Sequence, residues 1–271
     1  MYESSSAQLN RQGNLHFSRG FYTEAYQCYI QALEADRRSG DPRALVATLG
    51  NVGNICAVSG RREKAYSYYQ EVLELQKILG DSRGISTTLG NLGNLCADAG
   101  EWGRSRAYYL EALDLLTQYQ DDAAKAIVLS DLGLVAKECQ EYDQSLEYYQ
   151  QSIVLMRRVE NIAGQADVNK MMARMFLAQD RFDDAVACLH TSLAIAERLG
   201  DDLRKGGAWY ALAECYERQG KWSEAVQLFN RVIKIDERYD LPKLQENKER
   251  RARLQHKIQE SQDHPTMKEM H

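Results

Sequence analysis

The stretch LGNVGNICAVSG, residues 49–60, returns forty residues later as LGNLGNLCADAG, residues 89–100. Extending that step of forty through the chain gives a column of small residues at Gly13, Gly53, Gly93, Gly133, Ala173 and Ala213. Twelve positions on stands a second small column: Ala25, Ala65, Ser105, Ser145, Ala185 and Ala225. Four positions further is a bulky column: Tyr29, Tyr69, Tyr109, Tyr149, Leu189 and Phe229. The six copies need no insertion or deletion. A small residue on each of two helices lets their axes approach, and a large one a turn later fills the space beside the contact. Each repeat is therefore read as a helical hairpin, helix A followed by helix B.

The punctuation between helices follows the same step. Gly20, Gly60, Gly100 and Gly220 suit a left-handed position after helix A, with Gln140 and Asp180 replacing glycine in the fourth and fifth copies. Asp41, Asp81, Asp121, Asn161 and Asp201 are expected to accept hydrogen bonds from the free N–H groups that start each following helix A. Gly40, Gly80 and Gly200 precede three of them, and Pro42 suits a first helical position. Asp240 is read as the cap of one last helix, with Pro242 in its first turn and Leu241, Leu244, Leu254 and Ile258 on one face. Such a helix closes the exposed end of a repeat array. The charged run Lys248–Arg253 is its solvent side or, alternatively, a basic docking site.

The resulting expectation is an all-α, right-handed superhelical solenoid of six helix-turn-helix repeats, spanning residues 7–40, 41–80, 81–120, 121–160, 161–200 and 201–238. A short tail, 1–6, precedes them; a capping helix, 239–262, and a disordered tail, 263–271, follow. The three columns resemble the tetratricopeptide repeat, whose usual period is shorter and whose helix B ends near a proline absent here. The forty-residue step, the Leu-Gly-Asn segments and the Gly-Asp joints resemble the Pins-type (Leu-Gly-Asn) scaffolds and the kinesin light chains. The resemblance implies a fold that hosts many different partners.

Composition narrows the function classes. The chain has 271 residues, 44% of them hydrophobic, and a formal net charge of −5. That balance argues against binding to a nucleic-acid backbone, which needs clustered Lys and Arg. No apolar run approaches the ~18 residues of a membrane span, and the first residues carry no secretory pattern. Six cysteines, Cys28, Cys56, Cys96, Cys139, Cys188 and Cys215, form no CxxC pair and lack histidines at metal-ligand spacing. They read as small buried helix residues, reduced in a cytoplasmic setting. No metal, cofactor or catalytic motif is expected. His16 and His190 fall on positions read as core. The pairs Tyr68/Tyr69, Tyr108/Tyr109 and Tyr148/Tyr149 sit within the packing pattern, which outweighs a base-stacking role.

The resemblance places the partner along the A helices, on the concave side of the array. Directly after the small column come Asn14, Asn54, Asn94, Leu134, Arg174 and Glu214; two before it come Arg11, Asn51, Asn91, Asp131, Met171 and Ala211. Asn51/Asn54 and Asn91/Asn94 are three apart and share a helix face. An amide side chain matches the donor and acceptor of a peptide bond, so an Asn ladder can hold an extended peptide by its backbone. The competing reading is that some of these Asn bond only to the neighbouring helix. Further on, Lys170 and Arg174 suit acidic groups on a partner unless Asp131 and Asp167 neutralise them, and Tyr210 offers a packing surface.

Chaperone-binding relatives hold a peptide carboxylate with Lys, Asn and Arg; the matching positions here, Asn10, Asn14, Asn51, Gly90 and Asn94, keep the Asn and lack every cation. An internal peptide or helix is favoured over a free C-terminal tail. The expectation is thus an interaction adaptor, with a peptide-sensing regulator or a self-associating structural module as alternatives.

Overall fold

The computed structural model describes residues 5–263. Among them the chain is entirely helical, with thirteen helices and no strand. They are α1 (Ser5–Ser18), α2 (Tyr22–Ser39), α3 (Pro42–Val58), α4 (Arg62–Leu79), α5 (Ser82–Asp98), α6 (Trp102–Gln118) and α7 (Asp122–Glu138), then α8 (Tyr142–Arg158), α9 (Ile162–Ala178), α10 (Phe182–Leu199), α11 (Asp202–Arg218), α12 (Trp222–Tyr239) and α13 (Leu244–Asp263). The chain forms two compact units, Met1–Cys139 and Gln140–His271. In the first, α1/α2, α3/α4 and α5/α6 pack as pairs, each joined to the next, and α7 packs on α6. In the second, α8 packs on α9, α9/α10 and α11/α12 are pairs, and α13 packs on α12.

A left-handed residue ends a helix at every twentieth position from Gly20 to Asp240, with φ between 50° and 79°. Seven of these residues are glycines; the others are Gln120, Gln140, Glu160, Asp180 and Asp240. The left-handed residue reverses the chain so that the next N–H reaches back to a free carbonyl of the ending helix. Arg61 N–H meets the Cys56 carbonyl at 2.8 Å, and Glu101 N–H meets that of Cys96 at 2.9 Å. The expected Asp and Asn caps stand at their places: the carboxylate of Asp81 accepts from Gly84 N–H at 2.9 Å, and the amide oxygen of Asn161 from Gly164 N–H at 2.8 Å. Pro42 opens α3, where a missing N–H removes no helical bond.

Asp240 departs from the expectation. It ends α12 in the left-handed conformation, φ 50°, instead of starting the last helix. Its register explains this: it lies forty residues after Gly200 and belongs to the turn column, and Asp tolerates that backbone better than most side chains do. The last helix accordingly begins at Leu244. Of the two expected tails, Ser5, Ser6 and Asp263 are helical; the remaining residues lie outside those described, as does the disorder expected there.

The core sits between the helices of each pair. A β-carbon on Gly13, Gly53 or Gly93 would stand 2.5–2.6 Å from Cε1 of Tyr29, Tyr69 or Tyr109, so each ring packs directly against a bare helix backbone. In the last repeat Ala213 stands in the glycine column, and Phe229, Ala225 and Leu254 of α13 complete that cluster.

Candidate functional site

In the first unit, one hydrogen bond repeated three times orients the asparagines that follow the small column. Tyr29 donates its hydroxyl hydrogen to Asn14 Oδ1 and Tyr69 to Asn54 Oδ1, each at 2.7 Å; Tyr109 donates to Asn94 Oδ1 in the same way. Burial raises the hydroxyl pKa of all three tyrosines, that of Tyr69 to about 12, so they remain protonated donors. Each amide is thereby held with its oxygen toward helix B. Asn14, Asn54 and Asn94 are exposed, and their Nδ2 groups make no hydrogen bond among the described residues.

The asparagines two before the column diverge. Asn51 donates to Asn10 Oδ1 at 2.9 Å, Asn10 donates to Thr48 Oγ1 at 2.5 Å, and Thr48 donates to the buried Asp36 Oδ2 at 2.6 Å. Asn51 is the outer end of this internal chain. The residue that stands to Asn91 as Asn10 stands to Asn51 is Gly50, which has no side chain to offer. Asn91 lines a pocket of about 250 Å³ with Asn54, Asn94, Phe17, Val58, Leu95 and Asp98. Three amides, an apolar wall and one carboxylate thus converge between α1, α3 and α5. Asp131, on α7, is half-buried, and burial pushes its carboxyl up to about 7.

In the second unit Lys170 is 3.6 Å from Asp167, which Arg204 also holds at 3.0 Å. Arg174 is exposed and has no ion-pair partner among the described residues. Tyr210 is engaged by the last helix: Arg250 donates to its hydroxyl oxygen at 2.9 Å and also binds Glu217 at 2.7 Å. All three expected contact residues, Lys170, Arg174 and Tyr210, line one pocket of about 380 Å³ between α9, α11, α12 and the turn into α13. The basic run in α13 is partly spent internally, Lys248 on Glu237 and Arg250 on Glu217.

His190 and Cys139 differ from their sequence reading, and Cys28 and Cys188, read as buried, are half-buried. His190 is exposed on α10 because it follows the core residue Leu189 and so points off the packed face. Cys139 is exposed because it is the residue that caps the end of α7, just before the left-handed Gln140. The six thiols are free, and no group of His, Cys, Asp and Glu suited to a metal ion occurs among the described residues. No helix among them is long and apolar enough to cross a membrane.

Sequence reasoning missed the buried polar joints between successive helices. Asp36 pairs with Thr48, Gln76 with Thr88 at 2.8 Å, and Asp236 with Asn247 at 2.7 Å. The same column reads Leu116, Met156 and Ala196 elsewhere, opposite Val128, Val168 and Ala208. Within the repeats both members are polar or both apolar, a signal present in the repeat arithmetic; Asn247 stands one position before the column, whose residue there is Lys248.

Three stretches, residues 3–77, 44–118 and 164–238, match the family model described as tetratricopeptide repeat. No curated protein matches the chain. Among solved structures it is similar to BtubC (BKLC) from P. vanneervenii, with 18% identity and TM-score 0.67 over 86% of this chain and 92% of that one. It is similar to a Rap protein complexed with competence and sporulation factor: 13% identity, TM-score 0.68, 96% of this chain and 78% of that one. A third similarity is to Podosopora anserina putative kinesin light chain TPR-like repeats, with 15% identity, TM-score 0.59, and 73% and 98% coverage.

Proposed function

The chain belongs to the tetratricopeptide repeat family, and from that premise we propose that it is a non-catalytic adaptor that holds a peptide or helical segment of a partner protein. The observation that carries this reading is the orientation of Asn54 and Asn94. Each has its oxygen bound by a tyrosine hydroxyl and directs its N–H donors outward. Such outward N–H groups can donate to the carbonyl oxygens of an extended chain, and Asn91 in the same pocket adds both a donor and an acceptor. Asn14 continues the row, while Asn51 contributes through its link to Asn10. In the second unit, Lys170 and Arg174 supply positive charge for acidic groups of the partner. The net charge of −5 and the free cysteines support a protein partner in the cytoplasm over nucleic acid.

The test is panning a displayed random-peptide pool against wild type and an Asn54→Asp/Asn94→Asp variant. Aspartate keeps the oxygen that each tyrosine needs and removes the outward donor, so the fold stays intact. Peptides enriched on wild type and lost from the variant support the reading. Peptides held equally by both remove the asparagine face from it, and no enrichment at all overturns peptide binding.

A further inference from the structure

The pocket in the second unit owes its opening to two consecutive glycines in the middle of α11. Gly206 has a packing reason, since a β-carbon there would stand 3.2 Å from Ile235 Cγ2. Gly207 has none: its β-carbon would meet only Lys170 Nζ, at 3.8 Å, and its backbone is not in the left-handed region. The matching positions in the earlier A helices are Ala7, Ala47, Thr87, Ile127 and Asp167, all with side chains. A helix interior loses stability at glycine, whose use elsewhere is to let a ligand approach the backbone closely. Here the missing side chain leaves bare backbone beneath an ammonium group.

The remaining lining has two characters. Leu203, Val232, Ile235, Leu241 and Pro242 make an apolar floor. Lys170, Arg174 and Lys243 bring three cations against one lining carboxylate, Asp236, whose Oδ2 accepts from Asn247 Nδ2. Asp167, behind Lys170, is shared with Arg204. Asn247 is 2% exposed, and its Oδ1 has no hydrogen-bond partner among the described residues. At about 380 Å³ the pocket has the size and the mostly apolar, few-polar-groups makeup of a small-ligand site.

We propose that this pocket binds an apolar group bearing a carboxylate, with the apolar body over Gly207 and the anion between Lys170 and Arg174. That chemistry comes either from a free alkyl or aryl carboxylic acid or from adjacent apolar and acidic side chains of a peptide. The site deepens the part that the adaptor reading gives Lys170 and Arg174, whereas the rest of that reading stands on asparagines of the first unit; Asn54→Asp/Asn94→Asp therefore leaves this pocket unchanged, and the two can fail separately.

The experiment is a methyl NMR titration of the full chain with octanoate, with octanamide as the neutral body, and with acetyl-Leu-Glu-amide. Octanoate or the peptide shifts the methyls of Leu203, Val232, Ile235 and Leu241, and octanamide binds about tenfold more weakly than octanoate for want of a charge-assisted contact. Whichever of the two anionic probes binds identifies the source. Gly207→Leu abolishes the shifts without lowering the melting temperature, because it fills the pocket and restores a helix former. Lys170→Gln/Arg174→Gln brings octanoate down to the octanamide level. Equal binding of octanoate and octanamide, shifts that survive Gly207→Leu, or no movement of these methyls with any probe would each overturn the proposal.

Discussion

The Tyr69 hydroxyl donates to Asn54 Oδ1 at 2.7 Å while the ring of the same tyrosine occupies the space a β-carbon of residue 53 would need. The Gly-Asn pair of helix A and the tyrosine of helix B are thus one unit: glycine admits the ring, and asparagine accepts its hydroxyl. The same unit recurs at Gly13-Asn14 with Tyr29 and at Gly93-Asn94 with Tyr109.

Gly53→Ala is expected to destabilise by about 1–3 kcal/mol, since the new β-carbon overlaps a buried ring whose backbone cannot retreat. Adding Tyr69→Leu recovers part of that loss, because the fifth repeat pairs Ala173 with Leu189 in these columns. Urea unfolding of the two single variants and the double variant reads the coupling; additive losses would show that the ring and the glycine are independent.

Asn54→Ala leaves a buried phenol without its acceptor and is expected to cost about 1–2 kcal/mol. Asn54→Asp retains the acceptor and costs less. Thermal melts of both, compared with Tyr69→Phe, check the assignment, and the alanine change loses its effect in a Tyr69→Phe background.

Thr48→Val removes the hydroxyl that Asp36 Oδ2 accepts from in a buried joint, with an expected loss of about 2–3 kcal/mol for a carboxylate left short of a partner. Asp36→Leu/Thr48→Val, which copies the apolar Leu116/Val128 joint of this same chain, is expected to regain most of it. Denaturant midpoints decide.

Asp131 holds its proton up to about pH 7 in the folded chain because burial disfavours its charge. The unfolded chain releases that proton near the ordinary carboxylate value of about 3.9. From there to about pH 7 the unfolded state is favoured progressively, so this residue lowers stability as pH rises. Asp131→Asn lacks the effect and gains on wild type across the same window, with a constant advantage above it. Urea melts of both proteins at several pH values test the sign; a gap that shrinks with rising pH sinks the argument.

Gln120, Gln140 and Glu160 occupy left-handed positions with φ of 56°, 62° and 55°. Replacing each by glycine is expected to stabilise by up to about 1 kcal/mol, the strain of a β-carbon there less the added freedom of the unfolded chain. Melting temperatures that rise stepwise from single to triple variant confirm the turn column.

By itself the sequence determined the helical hairpins, their capping residues and the glycine turns, since these follow from requirements within a few residues. A left-handed residue, a side chain that caps the next turn, and a small-bulky alternation are each written locally, and the step of forty repeats them. Even Asp240 was legible, because its register assigns it to the turn column. Tertiary structure decided which neighbours the polar side chains meet. Asn51 and Asn91 hold equivalent positions in the repeat, yet one is bound through Asn10 and the other has Gly50 at the position matching Asn10. Only the residue on the neighbouring helix distinguishes them. Tyr210 likewise matches Lys170 in register but is claimed by Arg250 from a helix outside the repeat. The pocket over Gly207 exists because three helices and a turn converge there. Local periodicity carries backbone geometry, whereas hydrogen-bond partners and cavities depend on which distant side chains meet.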